Sequence, residues 1–285
     1  MTTFSNSSAD IYVPGGGSAS EALARVTHLA IGAHQDDLEF MAFPGIGECF
    51  EQPNKGFGGV VCGDGAGSSR TGRFADYTDE QMCAVRKEEQ REAARVGKYA
   101  VMFQLDYPSA VMKSPADLRL QNDLLAILQA TQPEKVYAHQ PADKHETHIA
   151  VLRATLGALR QLPMAQRPSQ VLGCEVWRGL DWMLDADKVL LDISEREDLA
   201  NQLNVLFASQ IAGGKRYDLA VQGRRYANAT FHNAHQGDKS SQVCVFMDLT
   251  PLVQDDGLDV VSFTEAYLDR FRTDVVGGLK RQFLK

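Results

Sequence analysis

The chain has 285 residues, 44% hydrophobic and 23% charged, long enough to bury a core without disulfides or a structural metal. Its formal net charge of -8 excludes a general nucleic-acid binder and disfavours an anionic membrane surface, since both need a basic face. The five cysteines are scattered and form no C-x-x-C, so neither a disulfide framework nor a thiolate zinc site is expected, and a reducing cytoplasm fits.

Residues 1–19 read as a flexible arm ending in Pro14-Gly-Gly-Gly17, without the basic start and apolar core of a signal peptide. Residues 20–285 are expected to form one α/β catalytic domain. No apolar run in the chain is long enough to span a bilayer. An apolar strand over about 26–33 delivers Ile31-Gly-Ala-His-Gln-Asp-Asp-Leu-Glu39. A helix starts near Leu38 and is disturbed by Pro44 and Gly45. The strand Gly59-Val-Val-Cys62 runs into a Gly-rich loop over 63–72. Thr78 and Gln81 then form a capping box for a helix ending at Gly97. Its apolar stripe is Met82, Val85, Ala93 and Val96, and Glu89 lies on the same stripe. A carboxylate facing inward must be paired, so Glu89 is read as an anchor, to Arg86 or to the Gly-rich loop.

A strand over about 101–105 and a helix over about 116–130 lead to the strand Lys135-Val-Tyr-Ala-His139. Asp143 as N-cap and Glu146 three residues later signal the next helix. Strands near 171–177 and 188–192, a helix near 195–208, a strand near 243–248 and a helix near 263–282 complete the chain. Residues 213–242 give no clear element. The alternation over 26–160 predicts a Rossmann-like, mostly parallel sheet with helices on both faces.

Two segments carry the chemistry, and both follow strands of that sheet, where open α/β folds place ligands. The first offers His34, Asp36 and Asp37. The second offers His145 and His148, three apart and therefore on one side of a helix start. Histidine and aspartate suit a borderline metal, and three such ligands with an open fourth position are the pattern of a catalytic rather than a structural zinc site.

The chain resembles the PIG-L/LmbE-like family of zinc-dependent N-acetylglucosaminyl deacetylases. The family's A-H-P-D-D motif appears as Ala33-His-Gln-Asp-Asp37, and its H-P-D-H as His145-Glu-Thr-His148. Between them, Gly63-Asp-Gly-Ala-Gly67 and Arg86-Lys-Glu-Glu89 match its Gly-rich loop and R-x-x-E. The likeness covers about residues 27–160. It implies an LmbE-like fold with zinc held by His34, Asp37 and His148, Asp36 as general base and His145 as acid; iron(II) is the other metal these ligands suit. Gln35 stands where the family has proline, and Glu146-Thr147 where it has Pro-Asp, with Asp143 able to supply the missing carboxylate.

On a helix N-terminus a protonated His145 would need a carboxylate, Asp143 or Asp36. Residues 170–285 are expected to supply pocket elements. Arg70 and Arg73 in the Gly-rich loop, His139, Arg225, Asn228 and His232 are the candidates for substrate contact, with Glu89 and Asp143 behind the site. The expected reaction removes an N-acetyl group from an amino sugar or glycoconjugate. A zinc hydratase or lyase of a small carboxylic acid, distinguished by several arginines in its pocket, and a non-catalytic sugar-binding relative are the alternatives. A homo-oligomer is left open.

Overall fold

A computed structural model describes residues 4–284, and the strands among them form one sheet. They are β1 (Asp10–Tyr12), β2 (His28–Gly32), β3 (Phe57–Gly63), β4 (Val101–Tyr107), β5 (Lys135–His139), β6 (Gln170–Cys174), β7 (Lys188–Asp192) and β8 (Val243–Asp248). Their order is β1-β4-β3-β2-β5-β6-β8-β7. The five strands from β4 to β6 run parallel. The outer pairings, β1 on β4, β8 on β6 and β7 on β8, are antiparallel. This is the α/β, mostly parallel architecture that the alternation of strands and helices leads one to expect.

The central strands are mostly apolar because both faces are covered. Leu29, Ala30 and Ile31 of β2 are wholly buried. One face packs against the helices Arg119–Thr131 and Glu146–Gln161 through Leu124, Ile127, Val151 and Leu159. The other packs against Phe43, Ile46, Ala93 and Leu203. No helix among the described residues is long and apolar enough to cross a membrane.

Several local expectations change. The N-terminal segment is docked from Phe4 onward. Ser5 donates its N–H to Asp123 at 3.0 Å, and Asp10–Tyr12 pairs with β4, because β4 would otherwise expose an unpaired edge. The disturbed helix is two helices, Asp37–Met41 and Phe43–Cys49, joined at Ala42. Pro44 sits in the first turn of the second, where its missing N–H costs nothing. Gly45 is required there: a Cβ would lie 2.6 Å from Cε2 of Tyr137. The helix near 195–208 is split into Glu197–Asn204 and Ala208–Ala212, and the unassigned stretch contains the helix Tyr217–Phe231.

The connection order places the site. The chain passes from β2 to β3 on one side and later adds β5 on the other. A crevice opens at the carboxyl ends where the strand order reverses. Both histidine-bearing segments leave the sheet at that crevice.

Candidate metal centre

His34, Asp36 and Asp37 follow β2, and His145 and His148 follow β5. The structure brings Nδ1 of His34, Oδ2 of Asp37 and Nε2 of His148 into a triangle with edges of 3.2, 3.4 and 3.5 Å. Tetrahedral zinc with ligand bonds of about 2.0–2.2 Å needs donor–donor edges of about 3.3–3.6 Å, so these three atoms fit one cation. His148 and Asp37 are buried, while the His34 side chain is 30% exposed, which leaves the triangle open on one side.

Two further imidazoles crowd the site, and their hydrogen bonds separate them from the ligand set. Nε2 of His139 accepts the N–H of Ala33 at 3.0 Å, a hydrogen it shares with Oδ2 of Asp37, so its lone pair points at the backbone rather than at the open side of the triangle. Burial and the neighbouring His148 push this imidazole down to about 4. His139 therefore lies behind the site, stacked on His148 with ring centroids 3.9 Å apart. His145 is the N-cap of the helix Glu146–Gln161, and its Nδ1 accepts the N–H of Thr147 at 3.3 Å. That bond fixes the tautomer and leaves Nε2–H as a donor. The cap expected at Asp143 is thus made by His145.

Asp143 has another task. Its Oδ1 accepts the N–H of His145 at 3.1 Å, and its Oδ2 lies 3.2 Å from Nδ1 of His148. With Nδ1–H directed at a carboxylate, Nε2 of His148 presents its lone pair to the triangle. The carboxylate partner expected for the His145 ring is absent, because Asp143 serves His148 instead. Burial and the neighbouring imidazoles His34 and His148 hold the His145 ring below the ordinary histidine range.

Asp37 accepts the N–H groups of Ala33 and His34 at 3.0 and 2.7 Å, which orients its carboxylate. Burial works to raise its carboxyl, but His148, His139 and His34 outweigh that and hold it well below the carboxylate range. Asp36 is held differently. Its backbone is left-handed, with φ 98°, a strained conformation for a residue with a side chain. Gln90 accepts its N–H at 3.2 Å, and Arg86 donates to its Oδ2 at 2.9 Å and to the carbonyl of Gln35. Burial raises the Asp36 carboxyl to about 6, with Arg86 pulling against it.

Arg86 and Gln90 are residues that periodicity missed. The buried line of their helix is Met82, Arg86, Gln90, Ala93 and Ala94, not the line through Val85 and Val96. The spacing of four from Arg86 to Gln90, beginning at the R-x-x-E, was the available signal. Glu89 accepts Arg86 at 3.0 Å and the N–H and O–H of Ser209 at 2.7 Å each, so it bonds Ser209 rather than the loop amides. Gln35 is wholly buried and donates to the carbonyl of Gly63 at 3.0 Å, tying the ends of β2 and β3 where proline would have stiffened the turn.

A cavity of about 560 Å³ opens onto the triangle. Beyond His34, Asp36 and His145 its wall includes Phe40, Trp177, Tyr217, Arg225 and Asn228. The other candidates lie elsewhere. Arg70 pairs with Asp79 and donates to the carbonyl of Ala66 at 2.9 Å, and Arg73 is exposed over the ring of Phe74. His232 borders a separate surface depression with Asp192 and Asp238. Arg225 is buried and donates to the carbonyl of Glu39 at 2.8 Å, and Asn228 donates to Glu175 at 2.9 Å.

Residues 29–159 match the family model PIG-L: GlcNAc-PI de-N-acetylase. No curated protein matches the sequence. Among solved structures, the conserved protein TT1542 from Thermus thermophilus is 18% identical, with TM-score 0.61 over 78% of this chain and 94% of that one. N,N'-diacetylchitobiose deacetylase from Pyrococcus horikoshii, complexed with its inhibitor, is 17% identical, with TM-score 0.59 over 76% and 82%. The 4-carboxy-2-hydroxymuconate hydratase GalB from Pseudomonas putida is 19% identical, with TM-score 0.61 over 79% and 96%. At these identities the likeness is one of fold.

Proposed function

We propose that this chain, which belongs to the PIG-L/LmbE-like family across residues 29–159, is a metal-dependent hydrolase that removes an N-acetyl group from an amino sugar or its conjugate. The observation that supports this reading most is the donor triangle of His34, Asp37 and His148, opening on a cavity with Asp36 beside it. Zinc, or iron(II) in a reducing cell, would supply Lewis-acid polarisation of the amide carbonyl and a water of lowered pKa.

Asp36 takes the proton of the attacking water. A carboxyl raised to about 6 is ionised near neutrality and still basic enough to accept it. Gln90 and Arg86 hold it in place, so no reorganisation accompanies attack. His145 donates its Nε2–H to the developing oxyanion. As a doubly protonated acid it would lose the bond from Thr147 to its Nδ1, so Asp36 is the better group to return the proton to the departing amine. Trp177 and Tyr217, 5.9 Å apart and edge to face, offer a sugar ring an aromatic wall.

The hydratase reading draws on the fold shared with the muconate hydratase. A polycarboxylate needs several available arginines, and each one of this cavity already bonds protein groups, although Nε and Nη1 of Arg225 keep no partner. Arg86 holds Asp36 and Glu89, Arg224 donates to the carbonyl of Val176 at 2.6 Å, and Arg225 donates to Glu39. Deacetylation is therefore preferred.

The test is acetate release from a panel of N-acetylglucosamine-type glycosides by zinc-loaded and chelator-treated protein, with metal content measured alongside. Acetate is expected only from the loaded protein. Asp36→Asn should slow release about 10²- to 10⁴-fold. His145→Ala should keep the metal and turn over slowly. Loaded protein that releases no acetate from any member, or release that survives chelation, would overturn the reading.

A further inference from the structure

The last helix, Val260–Phe283, is fastened to the rest of the molecule only near its start. Asp259 caps it, accepting the N–H of Ser262 at 2.8 Å, and Phe263 is buried. Tyr267 packs at the edge of the core, and Arg270 reaches Asp187 at 2.9 Å. Beyond Arg270, among the described residues, no side chain hydrogen-bonds or ion-pairs with another element. Residues 272–276 and 279–284 are exposed. A Cβ on Gly277 or Gly278 would meet only Arg281 of the same helix. Isolated helices shorter than about 12–15 residues are marginal in water, and two interior glycines weaken this one further.

The exposed side of this helix carries an apolar line. Val261, Leu268, Val275 and Leu279 follow one another at seven, seven and four residues, which keeps them on one side of the helix, with the exposed Arg272 interrupting them there. They are 64%, 43%, 43% and 53% exposed, and Val276 and Phe283 flank them. Phe263 and Tyr267, which face the core, lie on a different side, so the body of the molecule does not cover this line.

We propose that two copies of the chain pair through this line, helix against helix and antiparallel. The charges select both the occupant and the direction. On one flank of the line lie Glu265 and Asp269 towards the start and Lys280 towards the end, and none has an ion-pair partner among the described residues. Antiparallel alignment centred near Val275 puts Asp269 beside Lys280 of the partner subunit, and the two-fold axis repeats the pair. Parallel alignment would set that flank against the partner's other flank, where Thr264, Phe271 and Gln282 offer Asp269 and Lys280 no opposite charge. A two-helix seam is smaller than the roughly 800 Å² per partner of a standard interface, so the pairing is reversible and depends on concentration.

Sedimentation equilibrium of the full chain from about 1 to about 100 μM tests this. The mass should rise towards twice that of the chain. Val275→Glu with Leu279→Glu should stay monomeric, with acetate release as in the wild type. Asp269→Lys should weaken pairing about tenfold, the effect of ~1.4 kcal/mol, and adding Lys280→Asp should restore it. A wild type that stays monomeric at the highest concentration, or a dimer that survives Val275→Glu with Leu279→Glu, would overturn the proposal. So would a monomeric wild type that sediments with phosphatidylserine vesicles, since that would assign the line to a membrane surface.

Discussion

Arg86→Met tests whether one buried cation holds the proposed base. The guanidinium contacts Oδ2 of Asp36 at 2.9 Å and Oε2 of Glu89 at 3.0 Å, and the two carboxylate side chains are only 9% and 11% exposed. Methionine keeps the volume and removes the charge, stranding both. Breaking a buried pair from one side costs about 3–5 kcal/mol. Glu89 keeps the N–H and O–H of Ser209, so most of the penalty falls on Asp36. The size of the loss should depend on pH. The Asp36 carboxyl stands at about 6 with Arg86 present, and without it rises further. At pH 5 the stranded group is protonated and the penalty lies near the lower limit; at pH 8 its ionisation is opposed and the penalty lies near the upper. Urea unfolding of wild type and variant at both pH values measures this, and adding Asp36→Asn should recover part of the loss at pH 8. A loss below about 1 kcal/mol at pH 8, or a larger loss at pH 5 than at pH 8, would refute the reasoning.

Three further outcomes follow from the same structure. Burial raises the Glu39 carboxyl from 4.5 to about 7, against hydrogen bonds from Tyr99 and Gln90. The folded state therefore keeps a proton that the unfolded chain has released. The associated stability is complete below pH 4.5 and declines as pH rises through about 7, by about 3 kcal/mol over 2.5 pH units. In chelated protein Glu39→Gln should flatten that slope in denaturant unfolding; an unchanged slope would place the proton elsewhere. Gly45→Ala gains about 1 kcal/mol in helix propensity but forces a Cβ to 2.6 Å from Tyr137 and 3.2 Å from Phe57. Overpacking of this kind costs about 1–3 kcal/mol, so a lower urea midpoint is expected and a raised one would contradict it. Asp143→Ala frees the ring of His148, and zinc affinity by chelator competition should fall about 10- to 100-fold. Equal affinity would deny Asp143 its orienting part.

The legible features were those written in contiguous residues. The capping box of Thr78 and Gln81 forms as its spacing indicates, and β5 has the bounds its apolar run suggested. The misplaced features were those set by distant partners. Val85 seemed the inward residue because it is apolar, yet Arg86 and Gln90 turn inward to serve Asp36. Tyr217–Phe231 starts without a side-chain cap and holds Gly223 in its interior, so no boundary signal marked it as a helix, although it supplies one wall of the cavity. Arg70 and Arg73 were drawn to the site by their Gly-rich neighbours, and Asp79 and Phe74 hold them away from it.

Residue order alone sets which donors stand at the strand ends: imidazoles at positions 34, 139, 145 and 148 and carboxylates at 36 and 37. Residue type and strand-end position are local properties, so they can be read along the chain. Which donors keep a lone pair for a cation depends on neighbours that folding brings in. Ala33 occupies that of His139, Thr147 that of His145, and Asp143 turns His148 so that its own stays available. A lone pair is available or not according to what lies within 3 to 4 Å in space, and for His139 that neighbour is 106 residues away in the chain.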